Sequence, residues 1–99
     1  MSVSKPNVIF VLLDGARWDR VNASNDFQEI CKEGTLLNNV TTAMPYTIGS
    51  INVTFSGLYG KDNGVDAYYN VLKLKEGIKN LPVIFKKEGY FTACDLLHE

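Results

Sequence analysis

Histidine is nearly missing from this 99-residue chain: the single one, His98, stands next to the last residue. A metal centre that draws on several imidazoles cannot be assembled from one. Cysteine is scarce too, and Cys31 and Cys94 lie far apart without any CxxC spacing, which excludes the dense disulfide framework of small secreted scaffolds. Both are read as buried free thiols. No long apolar run is present; Val8 to Leu13 has six residues and ends on Asp14, too short for a membrane span and wrongly flanked for a signal peptide. The expected location is therefore cytoplasmic, with no membrane segment, and the Asn-x-Ser/Thr sequons at Asn22, Asn39 and Asn52 are read as incidental. Charge of one sign is lacking as well. Ten Lys plus Arg against eleven Asp plus Glu leave a formal net charge of -1, without the cationic excess that neutralises phosphate backbones, so no nucleic-acid binding is expected.

What is present suits a packed core: 45% of the residues are hydrophobic, and the charges are mixed rather than blocked, which argues against disorder. The length fits one domain. A chain this short buries only about 60 to 70% of the surface its unfolded form exposes, which leaves little stability to spare for a polar, metal-loaded site.

Val8-Ile9-Phe10-Val11-Leu12-Leu13 is a continuous β-branched and aromatic run, the pattern of a central parallel strand covered on both faces. Phe27, Ile30 and Cys31 at i, i+3 and i+4, closed by Lys32-Glu33-Gly34, predict a short amphipathic helix. A second strand is expected over 35–41. After Met44-Pro45, residues 47–57 read as a helix with Ile48, Ile51 and Phe55 on one face and Thr47 at its N-terminus. Gly60 to Gly64 is turn chemistry, and 66–76 stays unassigned. Asn80 is placed to cap a helix with Pro82 in its first turn, ending at Lys87-Glu88-Gly89 before the strand-like 90–94. The two Lys-Glu-Gly endings read as one turn solution used twice. Strands alternating with helices predict an α/β fold, a mainly parallel sheet flanked by helices, whose ligands gather beyond the carboxyl ends of the strands. Asp14 and Thr47 belong at that edge.

Asp14 directly follows the first predicted strand and precedes Gly15. There a carboxylate is held rigidly while glycine lets the backbone turn close to a ligand, a suitable place for a divalent cation. A plain strand-ending turn gives the same residues. Thr47 is equally double: as an N-cap it stabilises its helix, and as a nucleophile it would attack an anionic ester drawn to the helix N-terminus. Ser50, one turn later, is within reach of the same ligand, or a small residue at a helix contact. His98 is a further candidate for ligation and Asp95 lies at the same strand edge, with a solvated chain end and a strand-end turn as their plain explanations. Trp18 reads as packing, Arg17 or Asp19 as a brace for the first helical turn, and Lys73, Lys75 and Lys79 as a solvated face.

Taken in order, these blocks resemble a known family. Residues 6–19, Pro-Asn-Val-Ile-Phe-Val-Leu-Leu-Asp-Gly-Ala-Arg-Trp-Asp, look like the opening of the alkaline phosphatase superfamily, in its sulfatase-like and phosphodiesterase branches. Residues 47–60, Thr-Ile-Gly-Ser-Ile-Asn-Val-Thr-Phe-Ser-Gly-Leu-Tyr-Gly, resemble the helix that carries the nucleophile, and 81–93 resemble a later helix-strand passage. The resemblance implies that Asp14 is a metal ligand and that Thr47 is both ligand and nucleophile. It further implies a pair of divalent ions, with Zn²⁺ first and Mn²⁺ or Ca²⁺ as alternatives, and a small-molecule phosphate or sulfate ester as substrate. Sulfatases proper carry a C/S-x-P-x-R motif, whereas this chain has Thr47-Ile48-Gly49-Ser50-Ile51, and Gly15 stands where many of them have a second aspartate. These departures favour phosphoryl over sulfuryl transfer.

The family's remaining metal ligands come from the later part of a longer domain. The chain is accordingly expected to be the N-terminal portion (residues 1–99) of such a domain, with the remainder of the catalytic domain as its partner and no activity alone. The leading reading is a metal-dependent phosphoric ester hydrolase. The alternatives are a sulfuric ester hydrolase and a non-catalytic α/β domain that retains the fold.

Overall fold

The three helices expected from the sequence form in a computed structural model of the chain, which describes residues 4–67 and 73–95. Five helices form: α1 Trp18–Asn22, α2 Asn25–Glu33, α3 Thr47–Ser56, α4 Gly60–Asn63 and α5 Leu81–Lys87. They fall in two compact units, Met1–Asn39 and Val40–Glu99.

In the first unit, α1 and α2 pack together. The Ser24 side chain caps α2 by accepting the Phe27 N–H at 3.4 Å, and the Gln28 amide reaches back to the Asn22 carbonyl at 2.8 Å and to its side-chain oxygen at 3.0 Å. Trp18 meets Phe27 edge to face with ring centroids 6.1 Å apart, a favourable aromatic geometry. Trp18 is thus a packing residue. Its neighbours Arg17 and Asp19 form a two-pronged ion pair at 3.0 and 2.8 Å across the start of α1. Of the apolar face predicted for α2, Phe27 and Cys31 are half-buried but Ile30 is 70% exposed. Cys31 and Cys94 are both free, yet neither is buried: Cys31 is half-buried and Cys94 exposed.

The second unit is organised around α3, which packs against α4 and α5. β-Branched residues are poor helix formers because they lose χ1 freedom, and Ser, Thr and Asn because their polar groups compete for the backbone. In α3 those groups turn onto their own helix instead: Asn52 Nδ2 donates to the Ile48 carbonyl at 2.9 Å, Thr54 Oγ1 to Ser50 at 2.9 Å and Ser56 Oγ to Asn52 at 2.6 Å. This also engages the amide of the Asn52 sequon. Ile48 stays 61% exposed, while Ile51 and Phe55 are half-buried. Residues 60–63, read from the sequence as a turn, form the short α4.

Asn63 is fully buried. Its Nδ2 donates to the Leu58 carbonyl at 3.0 Å and to Ser56 Oγ at 3.3 Å, its Oδ1 accepts from the Val65 N–H at 2.8 Å, and its carbonyl accepts from the Lys75 N–H at 2.8 Å. Lys75 therefore does more than face solvent, since its ammonium also donates to the Lys61 carbonyl at 2.7 Å.

The two Lys-Glu-Gly endings are not the same turn. Gly34 is extended, φ -130° and ψ -162°, a conformation open to any residue. Gly89 has φ +84°, the left-handed region in which a Cβ is penalised. Around it Gly89 N–H donates to the Lys86 carbonyl at 3.1 Å and Tyr90 N–H to Phe85 at 3.0 Å, while Phe85 and Tyr90 stack edge to face at 4.9 Å. That is the Schellman closure with its hydrophobic contact. At the other end of α5, Asn80 caps as expected, accepting the Val83 N–H at 3.1 Å.

The strand expectations have a different outcome. Among the described residues no strand is assigned at 8–13, 35–41 or 90–94, and the side chains of the first run are exposed, Ile9 to 86%. A parallel strand exists only as part of a ladder, and buried on both faces only beneath covering helices. The packed core expected from composition is correspondingly small among these residues: Val65 is its sole buried apolar side chain, alongside Asn63, Gly49 and Gly60. Part of the unassigned stretch 66–76 lies outside the described residues.

Because Asn63 satisfies its own amide and three neighbours at once, Asn63→Ala is expected to lower stability by about 1 to 3 kcal/mol. The Val65 amide should then exchange its hydrogen faster, while the cap variant Asn80→Ala, costing about 1 kcal/mol, should leave Val65 protected. Unchanged exchange at Val65 in Asn63→Ala would remove Asn63 from its central place.

Candidate active site

Thr47 is the first helical residue of α3 and is exposed. The residue in the capping position is Tyr46, extended at φ -146° and ψ 153°, and it makes no side-chain cap hydrogen bond. The sequence reading of Thr47 as an N-cap is corrected by this: its φ and ψ are helical, so its hydroxyl is not the group that closes the helix end. The helix dipole favours an anion at this end.

Ser50 follows one turn later, half-buried, in the same first part of α3; its N–H donates to the Tyr46 carbonyl at 3.0 Å, and its own carbonyl accepts from Thr54. Thr47 and Ser50 are thereby brought together on one helix. Gly49 lies between them and is buried. Tyr46 and Gly49 carry no chemical signature of their own; the sequence signal that points to them is an aromatic residue two positions after Met44 and a glycine inside a helix, where glycine is otherwise unfavourable.

Asp14 belongs to the first unit. It is exposed and opens a turn with Gly15 that closes loosely through the Ala16 N–H to the Leu13 carbonyl at 3.5 Å. Gly15 has φ +69° with nothing within 4 Å of where a Cβ would stand, so the backbone demand for glycine anticipated at this position is real and is conformational rather than steric. Asp95 is exposed. His98 lies outside the described residues.

A shallow cleft of about 280 Å³ is lined by Ala43, Val53, Gly57, Leu58 and Tyr59. It sits at the C-terminal end of α3, away from Thr47, and offers no carboxylate, imidazole or thiol. Among the described residues no group of three or more His, Cys, Asp or Glu comes together. One carboxylate and one hydroxyl fall short of the four to six donors that a divalent ion takes, so these residues do not by themselves fit a complete metal centre. No helix among the described residues is long and apolar enough to cross a membrane.

A family model described as Sulfatase matches residues 6–95, spanning the Asp14 turn, α3 and α5. No curated protein and no solved structure matches the chain.

Since Gly15 meets only a conformational restriction, Gly15→Ala should cost about 1 to 2 kcal/mol, the penalty for a Cβ in left-handed backbone, with no clash to relieve. Thermal or denaturant unfolding checks this, and a variant as stable as the parent would mean that the Asp14 turn tolerates another backbone conformation.

Proposed function

The chain belongs to the sulfatase family, a hydrolase family of the alkaline phosphatase superfamily, and we propose that it forms the N-terminal segment of a metal-dependent phosphoric ester hydrolase with Thr47 as nucleophile. The observation that carries the reading is Thr47 itself: an exposed residue bearing a hydroxyl, the first helical residue of α3, at a helix end that Tyr46 in the capping position does not close with its side chain.

In the proposed reaction Thr47 Oγ1 passes its proton to solvent water and attacks phosphorus in line. The Oγ1–P bond forms as the bond from phosphorus to the ester oxygen breaks, and the leaving oxygen takes that electron pair. Water then attacks the phosphothreonine, releasing phosphate or a phosphate monoester and returning the hydroxyl. The positive end of α3 favours the charge on the equatorial oxygens. Ser50, one turn later on the same helix, is the accompanying candidate for contact with substrate.

Metal dependence belongs to the proposal, with Asp14 and Thr47 as two of the ligands of a pair of divalent ions, Zn²⁺ first. The further ligands would come from outside the described residues. The α/β fold belongs to it as well, with 8–13 as a strand whose ladder partners lie in the rest of the catalytic domain, and so does a cytoplasmic location.

A sulfate ester is the second reading. The family match favours it, while the absence of C/S-x-P-x-R around Thr47 favours phosphate. Parallel assays of an aryl phosphate and an aryl sulfate with the enzyme containing this segment separate the two.

In that enzyme Thr47→Ala is expected to lower phosphate-ester hydrolysis by roughly three orders of magnitude or more, with secondary structure retained, while Thr47→Ser keeps part of the activity. Near-normal turnover by the alanine variant would dismiss Thr47 as nucleophile. Asp14→Asn replaces a charged ligand with an amide of the same shape and should reduce bound metal by elemental analysis; undiminished metal would strike Asp14 from the ligand set.

A further inference from the structure

Tyr46 touches the first turn of α3 twice. Its carbonyl accepts the Ser50 N–H at 3.0 Å, and its ring lies across Gly49. A Cβ at position 49 would stand 2.7 Å from Cζ, 2.8 Å from Cε2 and 3.0 Å from the hydroxyl oxygen of Tyr46, closer than side chains pack. Gly49 is buried although Thr47 and Ile48 just before it are exposed, and the ring of Tyr46 supplies its nearest cover. Thr47 sits between these two attachments. Its backbone joins a residue fixed to the helix by both main chain and ring to the turn that holds it.

We infer that Tyr46 is a positioning residue for Thr47, and that position 49 is glycine because the Tyr46 ring occupies the space a side chain would fill. The inference rests on the reading of Thr47 as nucleophile and deepens it. A polar cap in place of Tyr46 would fix the helix end by hydrogen bonds to the amides of the first turn. Tyr46 fixes it by packing. The direction in which Thr47 leaves the backbone is then set by a ring against a glycine. A nucleophile displaced by about 1 Å can lose on the order of a hundredfold in rate, so a fastening of this kind acts on turnover even where it adds little to stability.

The two effects separate in Gly49→Ala. Alanine is the better helix former, so the variant's unfolding midpoint should equal or exceed that of the parent enzyme. The three atoms nearest its Cβ all belong to the far end of the Tyr46 side chain, which can swing away, so the helix survives and the fastening is lost. In the enzyme containing this segment, kcat for an aryl phosphate is expected to fall by roughly tenfold to a hundredfold, with KM and metal content unchanged. Tyr46→Ala should show the same fall, and Tyr46→Phe, which keeps the ring, should remain within about threefold of the parent.

Parent-like kcat in both Gly49→Ala and Tyr46→Ala would overturn the inference, as would equal losses in Tyr46→Phe and Tyr46→Ala. If Gly49→Ala does not fold, the contrast between the two Tyr46 variants decides. A parent enzyme that hydrolyses neither aryl phosphate nor aryl sulfate would instead overturn the reading of Thr47, and the positioning role with it.

Discussion

A buried polar side chain must find its hydrogen bonds inside the protein, and the second unit is built around one that does. Asn63 has no exposed surface, so each of its polar atoms requires a partner at close to ideal distance. Meeting that requirement joins the end of α3 through Ser56, the connection to α4 through Leu58, the chain beyond α4 through Val65, and the later segment through Lys75. The neighbouring glycines follow from the closeness this imposes. A Cβ at Gly60 would come within 2.6 Å of the Val65 carbonyl oxygen, and one at Gly64 within 2.9 Å of the Lys75 side chain. The far end of the proposed nucleophile helix is thus fastened by hydrogen bonds, while its near end is fastened by the Tyr46 ring.

The helices and the predicted strands stand in contrast for a physical reason. A helix closes its hydrogen bonds within about four residues, so Ser24, Asn80 and the Gly89 closure suffice to define α2 and α5 locally. A strand closes none of its own. Val8 to Leu13 has the composition of a strand covered on both faces, yet its side chains remain exposed, as do Leu37 and Val40 in the second expected strand and Phe91 in the third. Their apolar surface is the part of the chain whose free energy depends most on the neighbours a sheet would supply. This fits the proposal that these residues belong to a larger catalytic domain.

The chemistry proposed for Thr47 depends on position more than on any perturbed titration. Its hydroxyl stands at the start of a helix, and helix geometry carries the argument: backbone donors and dipole at one end, an aromatic clamp beside the reactive residue, and a buried asparagine at the other end. The lack of C/S-x-P-x-R around Thr47 then bears on the leaving group rather than on the scaffold, since the same helix start serves phosphate or sulfate.

Legible in the sequence were the helix that carries Phe27, Ile30 and Cys31 and ends at Gly34, the helix over 47–57, the helix capped by Asn80, and the candidate residues Asp14, Thr47 and Ser50. All of these rest on interactions between residues a few positions apart. Packing settled that Tyr46 rather than Thr47 occupies the cap of α3, that Asn63 is a buried junction rather than a turn residue, that Lys75 docks on α4, and that Gly34 and Gly89 end their helices differently. Each of those depends on where a side chain or carbonyl from another turn or segment arrives. Composition and periodicity do not encode that placement, because it is set by packing between segments rather than by the preferences of any one of them.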